Sequence, residues 1–92
     1  MDKTQKEIFC ITQEECAEVT QAISKIFRFG IDTSWNGSTN RQKLEEELGD
    51  LKAMMYILEI TGIVSEENVI KAAEAKMEKL SKWSNITIPN DK

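Results

Sequence analysis

Apolar residues recur at steps of three and four along the first third of the chain, at Ile8, Ile11, Val19, Ala22, Ile23, Ile26 and Phe29. At about 100° per residue they share one stripe of a helical wheel, the stripe a helix turns toward a core. The pattern predicts a helix from Lys3 to Arg28, ending near Gly30, a residue suited to a left-handed cap. A second set with the same period, Leu44, Leu48, Leu51, Met54, Met55, Ile57 and Leu58, predicts a helix to Ile60 that stops at Thr61-Gly62. Thr39 with Gln42 reads as a capping box at its start. With Ala53 and Ile60 included, its apolar arc covers about 240° and leaves a narrow polar strip of Glu45, Lys52, Tyr56 and Glu59. Ser65 then caps a third helix with Glu66 and Glu67 in its first turn and a stripe of Val69, Ile70, Ala73, Met77 and Leu80. Trp83 is placed to pack at its end, and residues 84–92 read as a frayed tail. Residues 31–40, rich in Asp, Ser, Asn, Gly and Thr, read as one long loop.

These elements predict an all-α protein: an antiparallel helical bundle with three main helices per chain. Ninety-two residues make one small domain, 1–92, with a core over 5–83. A helix apolar round about two thirds of its circumference must be surrounded, and two neighbours with one stripe each cover about half of that. The bundle is therefore expected to be completed by oligomerisation, as a homodimer or homotetramer.

Carboxylates interrupt the apolar stripes. Glu15 falls in the middle of the first stripe and Glu18 on its edge, while Glu14 points further out. Glu47 and Asp50 lie among the apolar residues of the second helix. A buried carboxylate costs several kcal/mol unless a proton or a cation neutralises it. No Lys or Arg stands three or four positions from Glu14, Glu15, Glu18 or Asp50, and only Glu47 has such a neighbour, Lys43. The helix macrodipole accounts for Glu45 and Glu46 near a helix start, but not for Glu15, Glu18 or Asp50. Inward carboxylates without local partners point to bound metal. Oxygen ligands in a chain without His suit Mg²⁺, or Mn²⁺, rather than zinc.

The order Glu14-Glu15-x-x-Glu18, then residues 19–46, then Glu47-x-x-Asp50 resembles the EExxE…ExxD signature of the MazG-like all-α nucleoside triphosphate pyrophosphohydrolases. The surrounding run Glu46-Glu47-Leu48-Gly49-Asp50-Leu51 matches as well, and the resemblance covers roughly residues 5–83. It implies hydrolysis of a nucleoside triphosphate, NTP or dNTP, to monophosphate and pyrophosphate, with Glu15, Glu18, Glu47 and Asp50 as metal ligands. Glu14 matches the first motif position, yet its outward angle turns it from direct ligation. Glu14 or Glu46 would instead hold a metal-bound water and so serve catalysis. Similar single-unit chains work as dimers or tetramers with sites near the subunit boundary.

Four further residues are candidates for substrate contact. Lys25 and Arg28 follow the acidic run on the first helix and either meet a phosphate or favour the helix C-terminus as surface charges. Trp35, a large aromatic in a polar loop, either stacks on a base or plugs a gap against the bundle or a neighbouring subunit. Lys76, at the edge of the third stripe, either reaches a phosphate or covers apolar surface with its stem.

Two other classes stay in view: a non-catalytic helical module that keeps the fold for interaction or regulation, and a divalent-metal buffer. Retained inward charges count against the first, and the missing His against a ferritin-like di-metal centre. The net charge of −4 argues against a nucleic-acid polymer as partner. It leaves a single nucleotide open, because a cation inverts the local field. No apolar run has membrane-spanning length, and Met1-Asp2-Lys3-Thr4 lacks a signal peptide's hydrophobic region. Cys10 and Cys16 on one helix would stand about 9 Å apart, too far for a disulfide, and read as reduced, packed thiols. A cytoplasmic protein with no membrane partner is expected, so the sequon Asn85-Ile86-Thr87 is coincidence.

Overall fold

The computed structural model describes residues 1–87 and Pro89. Three helices carry the fold: α1 (Lys3–Phe29), α2 (Asn40–Ile60) and α3 (Glu66–Trp83). Each begins on a side chain that satisfies otherwise unpaired backbone donors. Asp2 and Gln5 form a capping box on α1, and Thr39 and Gln42 form one on α2. Ser65 accepts from the Asn68 backbone N–H at 3.1 Å to open α3.

The α1–α2 pair is an antiparallel hairpin built on a three-four seam. On α1, Ile8 and Ala22 are buried, with Ile11, Glu15, Val19 and Ile26 half-buried between and beside them. On α2, Glu47 and Met54 are buried and Leu44, Leu51 and Leu58 are half-buried. The antiparallel sense follows from the meetings along the seam. Lys25 and Phe29 share a cavity wall with Asn40 and Lys43, whereas Glu15, earlier on α1, meets Glu47 and Asp50, later on α2.

The connection between the two helices departs from the expected plain loop. Ser34–Trp35 (β1) and Ser38–Thr39 (β2) pair antiparallel, Ser34 opposite Thr39 and Trp35 opposite Ser38. Asn36 and Gly37 sit at φ 55° and 82°, the positive values that both central residues of a type I′ hairpin turn require. The Asn-Gly dipeptide is the signal for this turn, and no longer alternating run flanks it. The rest of the connection is pinned to the start of α2. The Arg41 N–H donates to the Ile31 carbonyl at 2.8 Å, and Asn40 Nδ2 donates to the Gly30 carbonyl at 2.8 Å. The Arg41 guanidinium grips Asp32 at 2.9 and 3.2 Å. Gly30 closes α1 at φ 100° and ψ 151°, positive in φ yet extended rather than left-handed helical. A Cβ there would also meet Thr33 Oγ1 at 3.1 Å.

α3 stands apart from this hairpin. Its first turn is held where Val64 and Val69 face Met55 and Leu58 around a recess of about 180 Å³, but none of its residues is buried. Within one chain α3 therefore does not cover the second apolar side of α2. Leu48 and Met55 stay 46 % and 43 % exposed, and Ile70 and Met77 on α3 stay 50 % and 46 % exposed. The radius of gyration is 16.0 Å, where a compact chain of this length gives about 12 Å. The accessible surface is 7614 Å², against about 5,400 Å² for a compact monomer of this mass. Cys10 and Cys16 are free, and both are exposed rather than packed. Among the described residues no helix is long and apolar enough to cross a membrane.

Candidate metal centre

The seam places carboxylates where neighbouring layers place aliphatic side chains. Glu15 projects from α1 into the seam, and Glu47 and Asp50, one turn apart on α2, approach it from the other side. One carboxylate oxygen from each of the three lies within 4.8 Å of the others. Burial is graded across the group: Glu47 is 6 % exposed, Glu15 is half-buried and Asp50 is exposed. The cluster thus has a closed floor and one open side.

The charges repel. Loss of water first, then the charges of Asp50, Glu47, Glu18 and Glu14, push the Glu15 carboxyl above its ordinary range. Such a group is stabilised by gaining a proton or a cation. Lys43 supplies a cation to part of the cluster, its Nζ lying 3.2 Å from Glu47 Oε2 and 3.5 Å from Glu46 Oε1. That hydrogen bond to Glu47, with the charge behind it, holds the Lys43 ammonium above its usual range.

The donor set fits a hard divalent cation. All three converging groups are carboxylates, the chain contains no His, and neither cysteine belongs to the group. Oxygen donors on one side, with solvent on the other, match a cation that keeps several waters and shares itself with phosphates. Glu18 and Glu14 are both exposed on α1 and act on Glu15 through their charge. Glu18 is not among the oxygens that converge within 4.8 Å.

Next to this cluster lies a cavity of about 720 Å³ between the end of α1, the β1–β2 hairpin and the start of α2. Its walls include Lys25, Phe29, Trp35, Asn36, Asn40, Lys43 and Glu46, and its size suits a small organic ligand. Three residues singled out from the sequence, Lys25, Trp35 and Glu46, meet here. Trp35 is 74 % exposed, so within this chain it does not plug the bundle but leaves its ring at the cavity's edge. Arg28 lies instead over the Phe29 ring, 4.9 Å from its centroid. Lys76 is exposed on α3, outside both the cavity lining and the carboxylate group.

Sequence reasoning noted Lys43 only as a helical neighbour of Glu47, and passed over Asn36 and Asn40. The signals were present in the i, i+4 spacing of Lys43 and Glu47 and in the Asn-Gly turn that curls the cavity's rim.

The family model of the MazG nucleotide pyrophosphohydrolase domain matches residues 3–85 of the chain. Neither the curated proteins nor the solved structures yield a match.

Proposed function

The chain belongs to the MazG nucleotide pyrophosphohydrolase family, and we propose that it hydrolyses a nucleoside triphosphate, NTP or dNTP, to the monophosphate and pyrophosphate. In this reading Glu15, Glu47 and Asp50 hold Mg²⁺, or Mn²⁺, and Glu18 completes the set. The observation that carries the proposal is the convergence of three carboxylate oxygens within 4.8 Å on a helix seam where one of them is buried. Packing alone would favour aliphatic side chains at such positions.

Bound there, a divalent cation neutralises charge on the phosphate chain and acidifies water. The chain's own residues supply the rest. Glu46, exposed on the cavity wall, accepts the proton of the attacking water, with Glu14 as the candidate on the α1 side. The Lys25 ammonium on the same wall meets a phosphate. The exposed face of Trp35 offers a base a stacking surface, and the Asn36 and Asn40 amides offer it donors and acceptors.

The working form in this proposal is a homodimer or homotetramer in the cytoplasm, acting on nucleotide pools. Its support is the accessible surface of 7614 Å², which exceeds the compact expectation by about 2,200 Å², together with the apolar faces of α2 and α3. Lys76 reaches a nucleotide in this arrangement only from the second subunit.

The test is direct. Purified protein is incubated with each common and damaged NTP and dNTP in Mg²⁺, and monophosphate and pyrophosphate are quantified. Turnover that EDTA abolishes and Mg²⁺ restores is expected. Diphosphate with orthophosphate as products would refute the reaction class. Absence of turnover across the whole panel would favour the non-catalytic helical module.

A further inference from the structure

Lys43 belongs to both halves of the site. Its ammonium lies 3.2 Å from Glu47 Oε2 and 3.5 Å from Glu46 Oε1, and its side chain lines the cavity beside Lys25, Trp35 and Asn40. Glu47 is 6 % exposed, so without a divalent cation this ammonium is the charge that makes its burial tolerable. Glu47 is also one of the three carboxylates that converge within 4.8 Å. An ammonium and a dication held by one carboxylate repel each other at short range, so each weakens the other's hold on Glu47. The lysine is free to yield: its side chain is 48 % exposed and its flexible four-carbon stem moves without the backbone.

We propose that Lys43 is an exchangeable counter-ion that neutralises Glu47 in the cation-free protein and, once Glu47 serves a divalent cation, turns into the cavity to receive the substrate's phosphates. Cation binding and phosphate binding are then coupled through one side chain, because the first frees the group that the second needs. By linkage each strengthens the other. The identity of the anion as a nucleotide's phosphate chain rests on the function proposed above; the competition at Glu47 does not.

The experiment uses the full chain, with Mn²⁺ and inorganic triphosphate as probes. Mn²⁺ binding is measured by calorimetry for wild type, Lys43→Met and Lys43→Arg, with helical circular dichroism as a check on folding. Inorganic triphosphate binding is then measured at saturating Mg²⁺. Lys43→Met is expected to bind Mn²⁺ about tenfold more tightly than wild type, the size of one unit charge removed from a partly exposed site. The same variant is expected to bind triphosphate about tenfold more weakly, from loss of a charge-assisted contact. Lys43→Arg, which keeps the charge, should stay near wild type for Mn²⁺. Unchanged or weaker Mn²⁺ binding by Lys43→Met would overturn the competition. Tighter Mn²⁺ with unchanged triphosphate binding would overturn the hand-over. A wild type that binds Mn²⁺ but hydrolyses no nucleotide would instead refute the proposed function.

Discussion

A dimer makes a numerical demand on the unfolding transition. A standard interface removes about 800 Å² from each partner, which fits easily within the roughly 2,200 Å² by which the chain's 7614 Å² exceeds a compact monomer. The face that would be buried lies about 100° round α2 from the seam, where Leu48 and Met55 stand one position on from Glu47 and Met54. If two 92-residue chains unfold as one unit, their enthalpy is about 130 kcal/mol at about 0.7 kcal/mol per residue, and a melt near 60 °C rises by about 4 °C per tenfold in protein concentration. The perturbation is Met55→Glu or Met77→Glu. At Met77, 46 % exposed in the single chain, the change is nearly neutral for a monomer, whereas at Met55, 43 % exposed, it also weakens the contact with Val64 and Val69. In a dimer it buries an unpaired carboxylate at a cost of several kcal/mol. Sedimentation velocity and melts from about 1 to 100 μM should therefore show a dimeric wild type and dissociated variants. An active wild-type particle of 10.5 kDa with a concentration-independent melt would refute the reasoning.

Further predictions concern the site. Glu15→Gln, Glu47→Gln and Asp50→Asn should each lower kcat by more than about a hundredfold while circular dichroism stays helical; near-normal turnover in two of them would remove the ligand assignment. The Glu15 carboxyl sits above its ordinary 4.5, so its contribution to the cation-free protein is favourable at low pH and is lost as pH rises from about 4.5 through the raised value. The difference in melting temperature between Glu15→Gln and wild type should accordingly grow across that range, and saturating Mg²⁺ should shrink it. Trp35→Ala should leave the melt almost unchanged, since the ring is 74 % exposed, and raise KM at least about fivefold if the ring stacks on a base. Lys76→Ala should raise KM and Lys71→Ala, whose partner is the exposed Glu67, should not; equal behaviour would return Lys76 to the surface.

The helices were legible because each has its own local signals: the capping pairs at Thr39 and Ser65, and apolar steps of three and four. Helix angles alone also placed Glu15 and Glu47 on inward faces, because periodicity reports direction. What periodicity does not report is which inward face meets which partner. The breadth of the α2 arc showed that something must cover it, but not that α3 leaves that side open within one chain. The hairpin at Trp35–Ser38 escaped notice because two-residue strands are too short to alternate, although Asn36-Gly37 carried its turn. Trp35 left two readings open for a related reason: a large aromatic usually marks burial, and within this chain the turn holds the ring out at a cavity rim. Lys43 was visible as a partner of Glu47, but its second role needed the cavity.

The carboxylate layer of the α1–α2 seam also bears on how the two helices find their alignment. Ile8, Ala22 and Met54 are apolar and interchangeable in kind, so a seam of such residues alone tolerates sliding by a turn or more. Glu15 does not: a slipped register sets it against an aliphatic layer, away from Glu47, Asp50 and the cation they would share, while the Lys43–Glu47 pair stays within α2. A polar layer of this sort specifies pairing at the expense of stability. The residues proposed for chemistry would then also act as the index mark of the hairpin. Selecting variants for heat resistance alone would favour aliphatic residues at positions 15 and 47, and would erase the activity and the alignment key together.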